Sequence, residues 1–259
     1  MKQPIEFYWE STPNGIVQVR VQQLSTRDDG ALNLIGDPFT PRDIDFERIA
    51  HHLAIHQNGS KVAGSQFNNR VLKNAKSIVA FLVKVLPASM QFDQHGRVEM
   101  TLDVQFPGGE PIGYSGIMPI AELKALGITV EKGMRMPGGV SATEEEIEGA
   151  WYPEMIQGPD GAPAIRTAES GRIFNSHGKF EPKANIAVMT GFEAATTTKL
   201  CIVIGRDSET GRPIALTAYP GELAPPFPAK IDTEAFKSST LHDKLLNAFW
   251  DNHAFTKFT

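Results

Sequence analysis

The sequence predicts an α+β fold made mainly of antiparallel sheets, with two helices at about 42–86 and a third near the C-terminus. Three observations carry this reading. Residues 4–24 alternate apolar and polar around Asn14-Gly15, the period and turn chemistry of a hairpin. Apolar residues recur at helical spacing from Val71 to Leu86. The run Leu200-Cys201-Ile202-Val203-Ile204, a polar loop at 207–211 and an apolar return at 213–219 read as a second hairpin.

The first hairpin places Ile5, Phe7 and Trp9 opposite Val17, Val19 and Val21. Residues 25–41, with Asp28-Asp29-Gly30 and Gly36-Asp37-Pro38, read as loop. Ile44, Phe46, Ile49, Leu53 and Ile55 supply the apolar positions of a helix over 42–57, ended by Asn58-Gly59. The second helix spans 68–86 and Pro87 closes it. Val98, Met100, Leu102, Val104 and Phe106 give a strand over 97–106, and Pro107-Gly108-Gly109 a turn. A short element follows at 112–114 and a short helix at 120–127.

Residues 133–170 are rich in Gly, Pro and Glu and lack apolar periodicity, so they read as an insertion or linker. Strands return at 186–189, 199–206 and 213–219. Pro225, Pro226 and Pro228 make a stiff exit, and 233–250 a C-terminal helix. The expected division is a lobe at 1–132, the segment 133–170, and a strand-rich lobe at 171–259.

Composition narrows the function. The 41% hydrophobic and 21% charged residues fit a globular chain and exclude a largely disordered one. A net charge of −5 excludes a globally basic nucleic-acid binder but not a local basic patch. Cys201 is the one cysteine, which excludes a disulfide framework and a cysteine zinc cluster. No apolar run approaches a membrane span, and the first residues lack a signal-peptide core. The expectation is a cytoplasmic protein, or one delivered without such a peptide, that engages no membrane.

Several side chains are chemical candidates. His52 and His56 lie four apart, on one face of the expected first helix. That spacing can hold a metal or present an imidazole to a substrate, and it also suits ordinary surface histidines. Between them stands Leu-Ala-Ile, without the glutamate of a zincin motif, so no metal site is expected. His177 and Lys179 sit two apart in a polar stretch. An imidazole can take a proton there while the ammonium stabilises a phosphorane, or both are plain loop residues. Thr197, Thr198 and Lys199 can bind phosphate oxygens at a strand entrance, or be there for β-propensity. Tyr219 can stack on a base, donate a proton, or simply pack. Residues 61–84 hold Lys61, Arg70, Lys73, Lys76 and Lys84 and no acid, either a phosphate groove or a solvated helix face. Walker, Gly-x-Ser-x-Gly and His-Glu-x-x-His signatures are absent.

One combination resembles a known group. Histidines on a first helix (His51, His52, His56), then Ser65-Gln66-Phe67, the amphipathic helix Val71–Leu86, Ile112-Gly113-Tyr114, a Thr-rich lead into a strong strand, and a return ending Thr217-Ala218-Tyr219-Pro220 look like the barnase/EndoU/colicin/RelE-like superfamily of metal-independent endoribonuclease toxins. The resemblance implies two helices before a curved antiparallel sheet, RNA as substrate and no cofactor. It also implies His52 or His56 as the helix histidine, Thr197 and Thr217 as hydroxyl candidates, and Tyr219 as the late tyrosine.

Two functional readings follow. The first is RNA cleavage through the 2′-hydroxyl, with two of His52, His56 and His177 as base and acid. Lys179 or Lys199 would stabilise the oxyanion, Tyr219 would position a base or the leaving group, and Arg70, Lys73 and Lys76 would hold the backbone. The second is a non-catalytic protein-binding accessory or a phage or mobile-element structural protein, whose partner is an inhibitory or scaffold protein.

Overall fold

The computed structural model describes residues 5–12, 15–24, 34–49, 53, 64–135, 141–143, 154–157, 163–166, 173–175, 183–191, 195–225 and 247–258. The fold is α+β with mostly antiparallel sheets. In chain order the first strands are β1 (Ile5–Thr12), β2 (Gly15–Leu24), β3 (Ile35–Phe39), β4 (Gln66–Phe67), β5 (Met90–Phe92), β6 (Arg97–Gln105) and β7 (Gly113–Tyr114). There follow β8 (Ile117–Pro119), β9 (Val130–Arg135), β10 (Ser141–Thr143), β11 (Glu154–Gln157), β12 (Pro163–Arg166), β13 (Ile173–Asn175) and β14 (Lys183–Met189). The last are β15 (Thr196–Thr197), β16 (Lys199–Arg206), β17 (Pro213–Pro220) and β18 (His253–Phe258). Two described helices are α1 (Ala75–Val85) and α2 (Ile120–Ala125).

The chain makes two compact units, one of residues 1–116 and 195–223, the other of 117–194 and 224–259. The first is built on a five-stranded antiparallel sheet ordered β1-β2-β6-β16-β17. Alternation gives it two unlike faces. Trp9, Val19, Val21, Met100, Leu102, Val104, Leu200, Ile202, Ile204, Ala215 and Ala218 are buried in one core. Helix α1 packs there through Ile78, Phe81, Leu82 and Val85. Phe81 is its centre, 5.1 Å from the Trp9 ring, 5.8 Å from Phe7 and 5.8 Å from Phe106. Burying each such side chain contributes about 1.5–3 kcal/mol.

The second unit holds a five-stranded sheet ordered β10-β9-β14-β18-β8, in which β14 and β18 run parallel, and a three-stranded sheet β11-β12-β13. Ala184, Ile186, Trp250 and Phe255 form its small core. Asn185 ties the end of the chain to this sheet. Its Nδ2 donates to the Trp250 and His253 carbonyls at 3.0 and 3.1 Å, and its Oδ1 accepts from Lys132 Nζ at 2.8 Å.

The structure differs from the sequence-based expectation at several elements. Residues 42–57 do not begin as a helix. Pro41–Asp43 is a 3-10 turn, and Asp45 bridges to Ile214 in parallel, its N–H donating to the Pro213 carbonyl at 2.9 Å. Buried Ile44 and Phe46 flanking exposed Asp45 are a period-two pattern, and helical backbone is described only at 47–49 and 53. Helix α1 starts at Ala75, not 68, because Asn68 spends its side chain locally. It accepts from the Arg70 N–H at 3.0 Å and donates to the Pro111 carbonyl at 3.0 Å, and Asn74 then caps the helix.

Later in the chain, residues 133–170 contain strands β10, β11 and β12 as well as the end of β9. Of the expected C-terminal helix, 233–246 lie outside the described residues. Residues 247–251 are helical, and 253–258 form a strand that the sequence reading did not include. The strands after 171 do not make a sheet of their own, since β14 pairs with β9 and β16 with β6. The compact units therefore divide the chain at other points than 132 and 170. Among the described residues no helix is long and apolar enough to cross a membrane.

Candidate functional site

The face of the five-stranded sheet turned away from its core is polar at its centre. On β16 the residues alternating with Leu200, Ile202 and Ile204 are Lys199, Cys201 and Val203. Register sets Asp103, Thr101 and Glu99 of β6 beside them on one side. On the other side, β17 sets Tyr219 beside Cys201 and Thr217 beside Val203. Three residues singled out from the sequence, Lys199, Thr217 and Tyr219, are thus brought onto one surface.

Hydrogen bonds fix the groups around it. Thr197 Oγ1 accepts from the Lys199 N–H at 3.0 Å. Thr198 Oγ1 donates to Asp103 Oδ1 at 2.6 Å, and Gln105 donates to the other carboxylate oxygen at 2.9 Å. Lys199 Nζ is ion-paired with Glu222. The Cys201 thiol is fully buried and its pKa is pushed up to about 12. Burial is the main cause, with a Tyr219 hydrogen bond opposing it and the Glu99 charge adding to it. A thiol held protonated is no nucleophile.

Close backbone approaches assemble the rim of this surface. Strands β4, β7 and β15 make a short sheet of their own in the same unit. A Cβ on Gly113 would stand 2.3 Å from the Gln66 carbonyl oxygen and 2.4 Å from Pro220 Cγ. One on Gly116 would stand 2.4 Å from the Ser65 nitrogen, and the Gly116 N–H donates to Ser65 Oγ at 2.8 Å. At Gly221, whose φ is +131°, it would stand 2.9 Å from Ser115 Oγ. Glycine permits both that backbone angle and these crossings. They set Ser65, Ser115, Gly221 and Tyr219 along one rim, and Ser65 follows in sequence the stretch that carries His52 and His56.

Other sequence-predicted residues fall elsewhere. His52, His56, His177 and Lys179 lie outside the described residues. Arg70, Lys73 and Lys76 are exposed, but Lys76 belongs to α1, which packs on the opposite, apolar face of the sheet. The basic run therefore does not join Lys199 and Tyr219 through that helix. Sequence reading missed Ser65, Ser115, Glu99, Asp103 and Glu222. The glycines at 113, 116 and 221 were the available signal for the two serines; the carboxylates gave none.

Among the described residues no cluster of three His, Cys, Asp or Glu side chains is arranged to hold a metal ion. The arrangement offers an ammonium for a phosphate oxygen, a phenol and a threonine hydroxyl for donation, and an aromatic ring at the edge. No family model, curated protein or solved structure matches the chain.

Proposed function

We propose that the polar face around Lys199, Thr217 and Tyr219 binds RNA, and that the protein is a metal-independent endoribonuclease. The observation that supports it is that they share one sheet face, Lys199 on β16 and Thr217 and Tyr219 on the neighbouring β17. In this reading the 2′-hydroxyl attacks the adjacent phosphorus, the 5′-oxygen leaves, and a 2′,3′-cyclic phosphate results. Lys199 stabilises charge on the non-bridging oxygens. Thr217 donates to a phosphate oxygen, and Tyr219 stacks on a base or orients the leaving group. His52, His56 and His177 are the candidates for proton transfer.

The test is cleavage of labelled RNA with and without EDTA, using the wild type and Lys199→Met, Tyr219→Phe, His52→Ala, His56→Ala and His177→Ala. Expected are cyclic ends in EDTA, a loss of about 10²–10³ in rate for Lys199→Met, and a loss of about 10²–10⁴ for a histidine that moves the proton. Intact RNA under every condition overturns the proposal.

A further inference from the structure

The segment that follows β17 crosses the polar face. The Gly221 N–H donates to the Lys199 carbonyl at 2.8 Å, on the β17 side of β16. The Leu223 N–H donates to Thr101 Oγ1 at 3.2 Å, on β6 and so on the far side of β16. Between these two anchors the chain passes over Lys199 and Cys201, and its middle residue, Glu222, sets a carboxylate on the Lys199 ammonium. Thr101 and Cys201 beneath are 4% and 0% exposed although they face away from the core. Lys199 and Glu222 are themselves half exposed, so the ion pair can exchange with a solution anion.

We infer that Gly221-Glu222-Leu223 is a strap that shuts this face, Glu222 standing where an oxygen of a bound phosphodiester would stand. It rests on the reading of Lys199 as the phosphate-binding group. A phosphodiester displaces the carboxylate, the strap lifts, and Lys199 and the surface under it become accessible. The occupant of the closed state is the chain's own carboxylate, which keeps the ammonium neutralised until a polyanion competes.

Cys201, the chain's one thiol, lies beneath the crossing and reports its opening. The experiment measures labelling of Cys201 by Ellman's reagent in the folded protein for the wild type, Glu222→Gln and Thr101→Val, each over a range of low urea. Binding of a 2′-deoxy oligonucleotide, which lacks the attacking hydroxyl, is measured in parallel. Expected for Glu222→Gln is labelling about threefold faster, the factor an exposed ion pair is worth. Thr101→Val, which removes the second anchor, gives about fivefold.

In both variants the opening rate is flat in urea, the mark of a local rather than global opening. Glu222→Gln also binds the oligonucleotide more tightly by a similar factor. Unchanged labelling in both variants, or labelling that rises steeply with urea in all three proteins, overturns the strap. So does oligonucleotide binding that ignores Glu222. RNA cleavage by the wild type alongside either result leaves the ribonuclease reading standing alone. Faster labelling and tighter oligonucleotide binding with no RNA cleavage supports the strap and overturns the ribonuclease.

Discussion

Gly113→Ala tests the crossing on which the site depends. Gly113 does not have a positive φ, so the substitution meets no left-handed strain and the effect is one of space. The added methyl would lie 2.3 Å from the Gln66 carbonyl oxygen and 2.4 and 2.8 Å from the Pro220 ring. Non-bonded heavy atoms reach their optimal separation near ~3.5 Å, so the neighbours must retreat by about 1 Å. Neither can do so cheaply, because one is backbone held in the β4–β7 pairing and the other is a ring at the end of β17. Overpacking of this kind costs about 1–3 kcal/mol, and the upper half of that range is expected.

Gly205→Ala is the control. Its methyl would meet Leu216 at 2.6 Å, but Leu216 is an exposed and flexible side chain that can swing away. Urea unfolding followed by circular dichroism should show a lowered midpoint for Gly113→Ala and a shift under about 0.5 kcal/mol for Gly205→Ala. Under the proposed ribonuclease reading, RNA cleavage falls with the first and persists with the second. Equal midpoints for the two variants would refute the idea that backbone contact, not mere proximity, makes Gly113 necessary.

Further expectations concern each unit. Asn74→Ala removes the acceptor that Ser77 N–H uses at 2.9 Å and should cost about 1 kcal/mol in urea unfolding. Asn185→Leu leaves the Trp250 and His253 carbonyls without their donor; a loss of about 2–4 kcal/mol, with a changed near-ultraviolet signal from Trp250, is expected. The Asp207 carboxyl is held below the usual carboxylate range, first by the Thr210 N–H and hydroxyl, against a smaller opposing effect of burial, and then by the Glu209 N–H and Arg48. A lowered folded pKa means that this stabilisation is complete above the ordinary carboxylate value and is lost as pH falls through the lower folded one. Urea midpoints recorded on acidification should therefore drop less steeply for Asp207→Asn than for the wild type.

What the sequence revealed divides by the range of the interaction. Both hairpins were legible because alternation and turn residues are local. So was the body of α1, whose Ile78, Phe81, Leu82 and Val85 recur at helical spacing. Its start was not, because Val71 and Leu72 are buried without being helical, and burial alone carries no period. The pairing of β6 with β16 was invisible, since neither strand's residues name the other across the intervening unit. That pairing is what delivers Glu99 and Asp103 to the face of Lys199. Lys76 on α1 illustrates the same point: local charge excess does not say which side of a sheet a helix will cover.

The placing of Thr217 and Tyr219 depends on a finer feature than alternation. In strict alternation Ala215, Thr217 and Tyr219 would share a face. Instead Val203 pairs with Thr217 while Ile204 pairs with Ala215, so Leu216 is an extra residue in β17. The bulge moves Ala215 to the core beside Ala218, both at most 1% exposed, and leaves Thr217 and Tyr219 on the polar side. An added residue of this kind bends the strand and re-aims its side chains. Leu216 itself lies outward over Gly205, which has no side chain to obstruct it. Without the bulge, one end of β17 would have to choose between filling the core with Ala215 and presenting Thr217 and Tyr219 beside Cys201. With it, the same strand closes the core at one end and carries candidate chemistry at the other, and the strap at Gly221 begins where that chemistry ends.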